Sequence, residues 1–456
     1  MKNEQSIHGI WTHRWTFILA ATGSAVGLGN IWKFPYMTGV NGGAAFVLIY
    51  LIFIACIGIP VMLAEILLGR RGRSSPINTM HLLADEAKAT RFWGGIGWMG
   101  AVAGLLILSF YSVVAGWAVA YTWLTVQGTF AGESADQVVA TFGNLLANPK
   151  ELVWWHTLFM GMTLSVVVHG IHKGLERAVR FMMPALFLML LGLLIYSMTL
   201  DAFGRSVDFM FSVDFSRLNR ESILSALGHS FFTLSLGMGA IMAYGAYMAR
   251  GQNLAKTVVT IGVLDTVVAL MAGLVIFTIV FQNGLEPAAG PSLMFQTLPL
   301  AFASMPGGVV IGSVFFLLVT FAAWTSAISL AEPAVAWAVE ATRLTRLQAS
   351  LIVAVIAWTL GVGCALAFNR WADVKFTVEG LFSLNFFDLL DKLTTNIMLP
   401  LGGLLICIFV GWVMDRAIVR AEADLHHPQL YRAWSFLVQI VAPAGILVVM
   451  LNPLLQ

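Results

Sequence analysis

The sequence predicts an all-α integral membrane protein. Of its 456 residues, 59% are hydrophobic and only 11% are charged, whereas a soluble domain carries about 25% charged residues. The mean hydropathy is +0.85. Apolar stretches long enough to cross about 30 Å of hydrocarbon begin near residues 14, 43, 99, 152, 181, 222, 257, 308, 348, 381 and 433. These stretches predict eleven membrane spans, and with the composition they exclude a water-soluble globule.

The basic residues of the loops indicate how the chain is oriented. If the N-terminus is cytoplasmic, the loops after spans 2, 4, 6, 8 and 10 contain 15 lysines and arginines, and the opposite loops contain six. Cytoplasmic loops are enriched in basic residues, so we expect a cell (inner) membrane protein with a cytoplasmic N-terminus and an external C-terminus. Residues 1–13 lack the features of a signal peptide, so we expect the first span to be retained.

Charge, cysteines and motifs limit the classes of function. The net charge of +2 is too small to indicate a nucleic-acid partner, and no nucleotide-binding loop is found. Cys56, Cys364 and Cys407 lie far apart in apolar runs, so we expect neither a disulfide nor a metal–thiolate site. The sequence has no HExxH or GxSxG motif and no His/Cys cluster, so we do not expect an enzyme.

Two predicted spans are interrupted at their centres. Span 1 contains Gly23, Gly27 and Gly29 followed by Asn30, a pattern that taken alone fits a close helix contact equally well. Span 6 carries a similar interruption, TLSLGMG, five spans later. Paired interruptions in two halves indicate an inverted repeat with a central site. The expected division is an N-terminal segment at 1–13, five-span repeats at 14–200 and 222–415, and an eleventh span with the C-terminus at 430–456.

The interruptions themselves predict a kind of ligand. A broken helix leaves backbone N–H and C=O groups without partners, which a membrane tolerates only around a cavity or a bound ligand. Free carbonyl oxygens suit small cations, and the N-terminus of a half-helix suits a carboxylate. The sequence therefore predicts a site for a zwitterion together with cations.

Long motifs around these spans resemble the neurotransmitter:sodium symporter family, which has the LeuT fold. They are GSAVGLGNIWKFPY and NGGAAF at span 1, GIPVMLAEILLGR in span 2, KGLERAVRFMMP before span 5, FFTLSLGMGA in span 6 and AAWTSAISLAEP in span 8. The family usually has twelve spans, and ending after eleven resembles some bacterial members. The resemblance implies a 5+5 inverted repeat with spans 1 and 6 broken, one extra C-terminal span, and sodium-coupled symport of amino acids by alternating access.

The resemblance implies two sodium sites. The ligands expected at the first site, besides the substrate carboxylate, are Ala25, Asn30, Thr233 and Asp265. The ligands expected at the second site are the carbonyls of Gly23, Val26 and Ala322 and the hydroxyls of Thr325 and Ser326.

Asp265 is the most informative single residue. A carboxylate inside a membrane span is costly and indicates function, although a structural pair with a neighbouring cation is the alternative. Family members commonly have asparagine here, and chloride-dependent members have serine at the position of Ala269. The resemblance therefore implies no chloride requirement, and it allows proton antiport through Asp265. His229 either belongs to that proton network or is a buried histidine with satisfied hydrogen bonds.

The resemblance places the substrate between spans 1, 3, 6 and 8. Tyr111 is expected to bond the substrate carboxylate and Phe232 to cover the substrate. Met238 is flexible and leaves room for an aromatic side chain, although core packing also explains it. For Ser329 alone, a bond back to its own helix is favoured. We therefore expect a neutral hydrophobic or aromatic L-amino acid. The expected contacts are Leu28, Gly29, Ile107, Tyr111, Phe232, Thr233, Ser235, Met238, Ser326, Ser329 and Leu330.

The resemblance also places two gates. Lys33 and Asp391 form the expected outer salt bridge, in which lysine lacks the bidentate geometry of arginine. The inner gate is expected to contain Trp11, Tyr247 and Glu340, and His8 stands at the position of the family's arginine.

Four more residues bear on the mechanism. Gly174 and Pro184 either form a hinge at the cytoplasmic start of span 5 or merely begin its helix. Glu65 and Glu332 lie inside spans 2 and 8, and we expect both to satisfy the backbone of the broken helices.

Two rival functions are also compatible with the sequence. Broken helices also line channels, although a channel needs no amino-acid-shaped pocket, and a proton-coupled symporter of related fold would use Asp265 as its proton carrier. The lipid bilayer is an expected partner, and the sequence sets no oligomeric state.

Overall fold

The helices follow the order of the predicted spans. A computed structural model describes residues 9–249, 251–286, 292–378 and 382–451. Within these ranges, eight helices are long and apolar enough to cross a membrane. Predicted span 4 is a helix of 19 residues, and predicted spans 1 and 6 are each divided into two shorter helices.

In chain order the helices are α1 (Arg14–Ala25), α2 (29–40), α3 (Ala44–Gly72), α4 (Pro76–Glu86), α5 (Arg91–Val126), α6 (Ala135–Ala147), α7 (Pro149–Val167), α8 (Ile171–Ser197), α9 (Phe203–Phe211), α10 (Arg220–Thr233), α11 (Ala240–Ala246), α12 (Leu254–Gln282), α13 (Leu293–Ser304), α14 (Gly308–Ala341), α15 (Arg346–Leu366), α16 (Phe386–Val413), α17 (Arg416–Glu422) and α18 (Pro428–Leu451). Two short strands, β1 (Phe376–Val378) and β2 (Phe382–Leu384), pair antiparallel.

Helix α8 begins ten residues before the apolar stretch that predicted it, at Ile171. Its first turns are helical although they carry Lys173 and Arg177, whose charges keep them out of an apolar window. Gly174 lies in the first turn and Pro184 lies well inside the helix. The helix is continuous through both residues, so the alternative in which both begin it is wrong for Pro184.

The centre of the bundle is formed by α5 and α14. Helix α14 packs along α5 and also contacts α1, α8 and α15, and α11 packs on α3. The contact between α3 and α11 is close because small residues lie in it. A β-carbon added to Gly69 would lie 1.9 Å from the carbonyl oxygen of Met242, and one added to Gly245 would lie 2.8 Å from that of Ile66. This contact holds the second half of span 6 against span 2.

Ion pairs lie at the end of the bundle where α1 begins, which we call the N-side. Arg70 at the end of α3 lies 2.8 Å from Asp424, and the next residue, Arg71, lies 3.1 Å from Glu422. Arg71 also pairs with Glu86 of α4. These pairs connect the segment that precedes α18 to the end of α3.

The close contact between α3 and α11 makes Gly69 sensitive to substitution. In Gly69→Ala, the new methyl group would meet the Met242 carbonyl at 1.9 Å, so the helices must separate. We expect this overpacking to lower the free energy of unfolding by about 1–3 kcal/mol, measured as a lower thermal midpoint in detergent. Gly192→Ala on α8 is the matched control, because no described atom lies within 4 Å of its added β-carbon. An unchanged midpoint for Gly69→Ala would contradict this packing.

Candidate functional site

The interruption of span 1 lies between α1 and α2. The residue after α1, Val26, is extended, with φ −72° and ψ 102°, and helical structure resumes at Gly29. The backbone N–H of Gly27 donates to the side-chain oxygen of Asn30 at 3.2 Å. The Asn30 side chain therefore satisfies a backbone N–H within the break, which gives the polar residue after the glycines a structural role.

The interruption of span 6 lies between α10 and α11. Three of its residues have positive φ: Ser235 at 55°, Gly237 at 77° and Gly239 at 73°. This conformation is uncommon for residues other than glycine, and Ser235 is held in it by a 2.8 Å hydrogen bond from its hydroxyl to the Ser24 carbonyl. The N–H of Gly237 donates to Glu65 at 2.9 Å. Glu65 thus satisfies the broken backbone as the sequence predicted.

The predicted ligands of the second sodium site are brought together where α14 meets the break in span 1. The hydroxyl of Ser326 lies 3.3 Å from the carbonyl oxygens of both Gly23 and Val26. The hydroxyl of Thr325 lies 3.0 Å from the carbonyl oxygen of Ala322. Carbonyl and hydroxyl oxygens are hard ligands, so this donor set fits a small hard cation such as sodium.

The residues predicted for the first site surround Asp265, which is fully buried on α12. Its carboxylate accepts a 2.8 Å hydrogen bond from the Asn30 amide and a 3.2 Å bond from the Thr233 hydroxyl. Neither partner is a cation, so these contacts do not support the structural ion pair. Ala25 ends α1 beside this group and lines the adjacent cavity. The site offers a negative charge and neutral oxygens, a set that also fits sodium.

His229 lies on α10 near this site but makes no hydrogen bond to Asp265. Its ring is 2% exposed and packs on Phe34 and Tyr50, with ring centroids 6.0 and 5.4 Å away. Within the described part of the chain, neither ring nitrogen has a hydrogen-bond partner. The alternative of a buried histidine with satisfied hydrogen bonds is therefore wrong for this arrangement.

A central cavity of about 30 Å³ separates the two breaks. All of the predicted substrate contacts line this cavity except Thr233 and Ser329. Thr233 faces Asp265. The Ser329 hydroxyl bonds back to the Ser326 carbonyl of its own helix at 2.8 Å, as favoured from the sequence. Ser24 and Gly27 also line the cavity and were missed, although both lie inside the motif that located the break. The cavity residues are Ser24, Ala25, Gly27, Leu28, Gly29, Ile107, Tyr111, Phe232, Ser235, Met238, Ser326 and Leu330.

Tyr111 marks the polar end of the central cavity. Its hydroxyl oxygen accepts the backbone N–H of Leu28 at 3.2 Å, next to the start of α2. A β-carbon on Gly27 would lie 2.9 Å from this hydroxyl and 2.5 Å from that of Ser326, so only glycine leaves room there. A phenol proton and a helix N-terminus thus converge on one end of the cavity, and this combination suits a carboxylate.

A vestibule of about 290 Å³ lies on the side of the cavity away from the N-side, and Leu28, Tyr111 and Phe232 line both spaces. Lys33 and Asp391 also line the vestibule. The predicted salt bridge between them is wrong for this structure, because the described ion pairs do not include it. The Lys33 ammonium group instead lies 4.4 Å from the centroid of the Phe232 ring.

The N-side is closed by Trp11, which is 2% exposed. Its indole N–H donates to the Tyr244 carbonyl at 3.1 Å, and its backbone N–H donates to the Tyr247 carbonyl at 2.9 Å. Glu340 accepts hydrogen bonds from the backbone N–H of Ser75 at 2.7 Å and from Asn78 at 2.6 Å. The position of His8 lies outside the described residues.

Glu332 does not satisfy the backbone of a broken helix, so that expectation was wrong. Its carboxylate is held by the guanidinium of Arg346 at 2.5 and 3.1 Å and by the hydroxyl of Tyr247 at 2.8 Å. Arg346 lies at the start of α15, and its charged guanidinium forms a stronger hydrogen bond with the Glu332 carboxylate than a backbone N–H would. Arg346 follows predicted span 8 in a basic loop, and sequence alone carries no signal for this pairing.

Comparisons with known proteins decide the family. The profile of the sodium:neurotransmitter symporter family matches residues 8–145 and 136–456. The chain belongs to the sodium:neurotransmitter symporter family. A crystal structure of MhsT in complex with L-phenylalanine shares 41% sequence identity, covers 98% of this chain and 99% of its own, and superposes with a TM-score of 0.89. The uncharacterised sodium-dependent transporter YhdH of Bacillus subtilis is 36% identical over 97% of both chains.

A further family relative, an uncharacterised sodium-dependent transporter of Haemophilus influenzae, is 32% identical over 97% of this chain and 98% of its own. Membership confirms the all-α membrane fold of LeuT type and a transporter rather than an enzyme. The helix α18 lies where the sequence predicted an eleventh span.

Variants of Glu65 test which contact stabilises the backbone at the break in span 6. Glu65→Ala leaves the Gly237 N–H without its acceptor, and an unsatisfied buried donor costs about 1–3 kcal/mol. We expect a lower thermal midpoint and weaker sodium-dependent stabilisation, measured by unfolding in detergent over a sodium titration. Glu65→Gln keeps an oxygen for this bond and is the matched control, with a smaller expected loss. Equal losses in the two variants would mean that the carboxylate acts through its charge instead.

Proposed function

We propose that this chain imports neutral hydrophobic or aromatic L-amino acids across the cell (inner) membrane, coupled to sodium ions and by alternating access. One observation carries the proposal: two groups of oxygen ligands, around Asp265 and around Thr325, lie at the two broken helices. Each group includes a residue that lines the cavity between these helices, Ala25 in the first group and Ser326 in the second. A site that binds cations beside an organic ligand couples their movement, since each stabilises the same closed arrangement.

The amino-acid part of the proposal rests on the polarity of the cavity. The substrate carboxylate is assigned to Tyr111 and the start of α2, and the amino group to free carbonyls near Thr233 and Ser235. Ile107 and Met238 are assigned to the substrate side chain, and none of the described residues that line the cavity is charged. An acidic or basic side chain would be desolvated there without a partner. The similarity to MhsT, which was solved with L-phenylalanine, supports the same substrate class.

Sodium is favoured over protons as the coupling ion by the second oxygen group. A proton-coupled symporter needs a titratable carrier, and Asp265 alone could serve. The group around Thr325 contains carbonyls and hydroxyls but no titratable side chain, so a proton carrier leaves it without a function. Two sodium ions crossing with a zwitterion move about two charges, worth about 4.6 kcal/mol per 100 mV of potential.

The direction of transport follows from the proposed orientation. The basic loops put the N-side in the cytoplasm, so the vestibule faces outward and the N-side closure by Trp11 faces inward. Lys33 and Asp391 are then the outer gate in its open state, and Trp11, Tyr247 and Glu340 belong to the inner gate. Gly174 and Pro184 are the proposed hinge through which the start of α8 unwinds when the inner side opens.

Sodium coupling is tested by uptake of labelled leucine and tryptophan into proteoliposomes. We expect uptake against a concentration gradient when external sodium is present and its loss when choline replaces sodium. Replacing chloride by gluconate is expected to leave uptake unchanged, because Asp265 supplies the negative charge. Uptake that persists in choline would overturn the proposal in favour of the proton-coupled symporter. Competition by twenty amino acids measures the substrate range.

Asp265 is the proposed source of both chloride independence and proton antiport. Asp265→Asn keeps an oxygen ligand but removes the charge, so we expect sodium-dependent uptake to fall and the remainder to depend on chloride. Internal acidification is expected to stimulate uptake in the natural protein, because a proton on Asp265 assists the return step, and to have no effect in the variant. A variant that keeps both the chloride independence and the response to internal pH would contradict this role. Ala269→Ser is the complementary variant, because it adds a hydroxyl one turn later while leaving Asp265 in place.

A further inference from the structure

Two serine side chains and one backbone carbonyl beside the central cavity form a directed series of hydrogen bonds. The Ser329 hydroxyl donates to the Ser326 carbonyl at 2.8 Å. The Ser24 hydroxyl lies 2.8 Å from the Ser329 hydroxyl oxygen. Since the proton of Ser329 is used by the carbonyl, the proton between the two hydroxyls is that of Ser24. The direction of the Ser24 hydroxyl is therefore set by its neighbours.

The Ser24 oxygen consequently faces the cavity as an acceptor. Ser24 lines the cavity, and none of the hydrogen bonds found in the described chain brings a donor to its hydroxyl oxygen. The other two cavity serines do not supply one, because Ser235 donates to the Ser24 carbonyl at 2.8 Å and Ser326 lies 3.3 Å from the same carbonyl. The Ser24 hydroxyl already donates its own proton, and its oxygen keeps the capacity to accept a hydrogen bond from a bound ligand.

The surroundings of Ser24 define which ligand group can reach it. Ile107, Met238 and Leu330 line the same cavity with apolar side chains, so most of the ligand there must be apolar. The buried Ser329 hydroxyl lies behind Ser24, between α1 and α14. The site thus combines an apolar wall with one fixed acceptor. An aromatic ring that carries a single N–H or O–H matches both properties.

We propose that the Ser24 hydroxyl oxygen accepts a hydrogen bond from the substrate's side chain. The site then prefers aromatic L-amino acids with a ring donor, the indole N–H of tryptophan or the phenol O–H of tyrosine, over rings of equal size without one. This inference rests on the proposed function, since it refines the substrate class of the same cavity. Ser24 acts here as a specificity-determining residue, and Ser329 acts as the positioning residue that directs its proton.

The test compares two amino acids that differ in the donor alone. In 3-(3-benzothienyl)-L-alanine a sulfur atom replaces the indole N–H of tryptophan with little change in size. Both compete with labelled leucine for sodium-dependent uptake into proteoliposomes containing the full chain. The measured quantity is the ratio of their inhibition constants, which does not depend on how much protein is active. A hydrogen bond of ordinary strength shifts this ratio by roughly fivefold to tenfold.

Three variants make the test specific. Ser24→Ala removes the acceptor, so the ratio is expected to fall by roughly fivefold or more relative to the natural protein. Ser329→Ala keeps the Ser24 hydroxyl but frees it to turn its proton into the cavity, so the ratio is expected to fall in the same direction. Ser197→Ala is the control, because its buried hydroxyl bonds its own helix at Leu194 and lies on α8. It is expected to keep the natural ratio.

Each outcome separates this inference from the function on which it rests. A ratio unchanged in Ser24→Ala overturns the inference while sodium-dependent uptake remains. An equal loss of affinity for all amino acids in that variant also overturns it, because the hydroxyl would then contact the shared ammonium group. Absence of sodium-dependent amino-acid uptake in the natural protein would instead overturn the proposed function.

Discussion

The structure depends on satisfying the backbone of two helices that stop in the middle of a membrane bundle. Water cannot reach these groups from the hydrocarbon, so protein groups must. The Ser24 carbonyl takes the hydroxyl of Ser235 at 2.8 Å, Glu65 takes the N–H of Gly237 at 2.9 Å, and Asn30 takes the N–H of Gly27 at 3.2 Å. The first two bonds join span 6 to spans 1 and 2, and the third is local to the break in span 1. The cavity and its oxygen ligands are what remains where these bonds leave carbonyls and hydroxyls unused.

The same constraint explains why the two ends of the bundle differ. On the N-side, Trp11 packs on the end of α11 and donates both of its N–H groups to backbone carbonyls there. The pair of Glu332 and Arg346 closes the space beside it with a buried, bidentate contact. At the opposite end no comparable contact crosses the vestibule in the described chain, and Leu28, Tyr111 and Phe232 stand between it and the central cavity. One end is held by directional bonds and the other by apolar and aromatic side chains.

How far the sequence predicted this site depended on the kind of interaction. The breaks and the importance of Asp265 follow from the residues themselves, because glycines, polar residues and a carboxylate inside apolar spans are costly unless they form a site. The two sets of oxygen ligands were predicted from the family resemblance. Most of the cavity lining followed from the family resemblance. The partners of Lys33 and Glu332 were predicted wrongly, since each long charged side chain chooses among several partners by tertiary distance. The direction of the Ser24 hydroxyl was beyond sequence reasoning, because it depends on two hydrogen bonds in series, one between α1 and α14 and one within α14.

The position of Lys33 over Phe232 has an energetic consequence for the outer entrance. A cation on an exposed aromatic face is worth about 0.5–1 kcal/mol, and an exposed ion pair is worth about 0–1 kcal/mol. The observed contact of Lys33 with the Phe232 ring and an ion pair with Asp391 would therefore differ little in free energy. Movement of the Lys33 side chain between these two partners does not by itself stabilise either the open or the closed state of the entrance. Whether the entrance is open or closed therefore depends on the ligand that occupies the cavity beneath Phe232. Because Lys33 interacts weakly with either partner, the entrance is sensitive to that ligand.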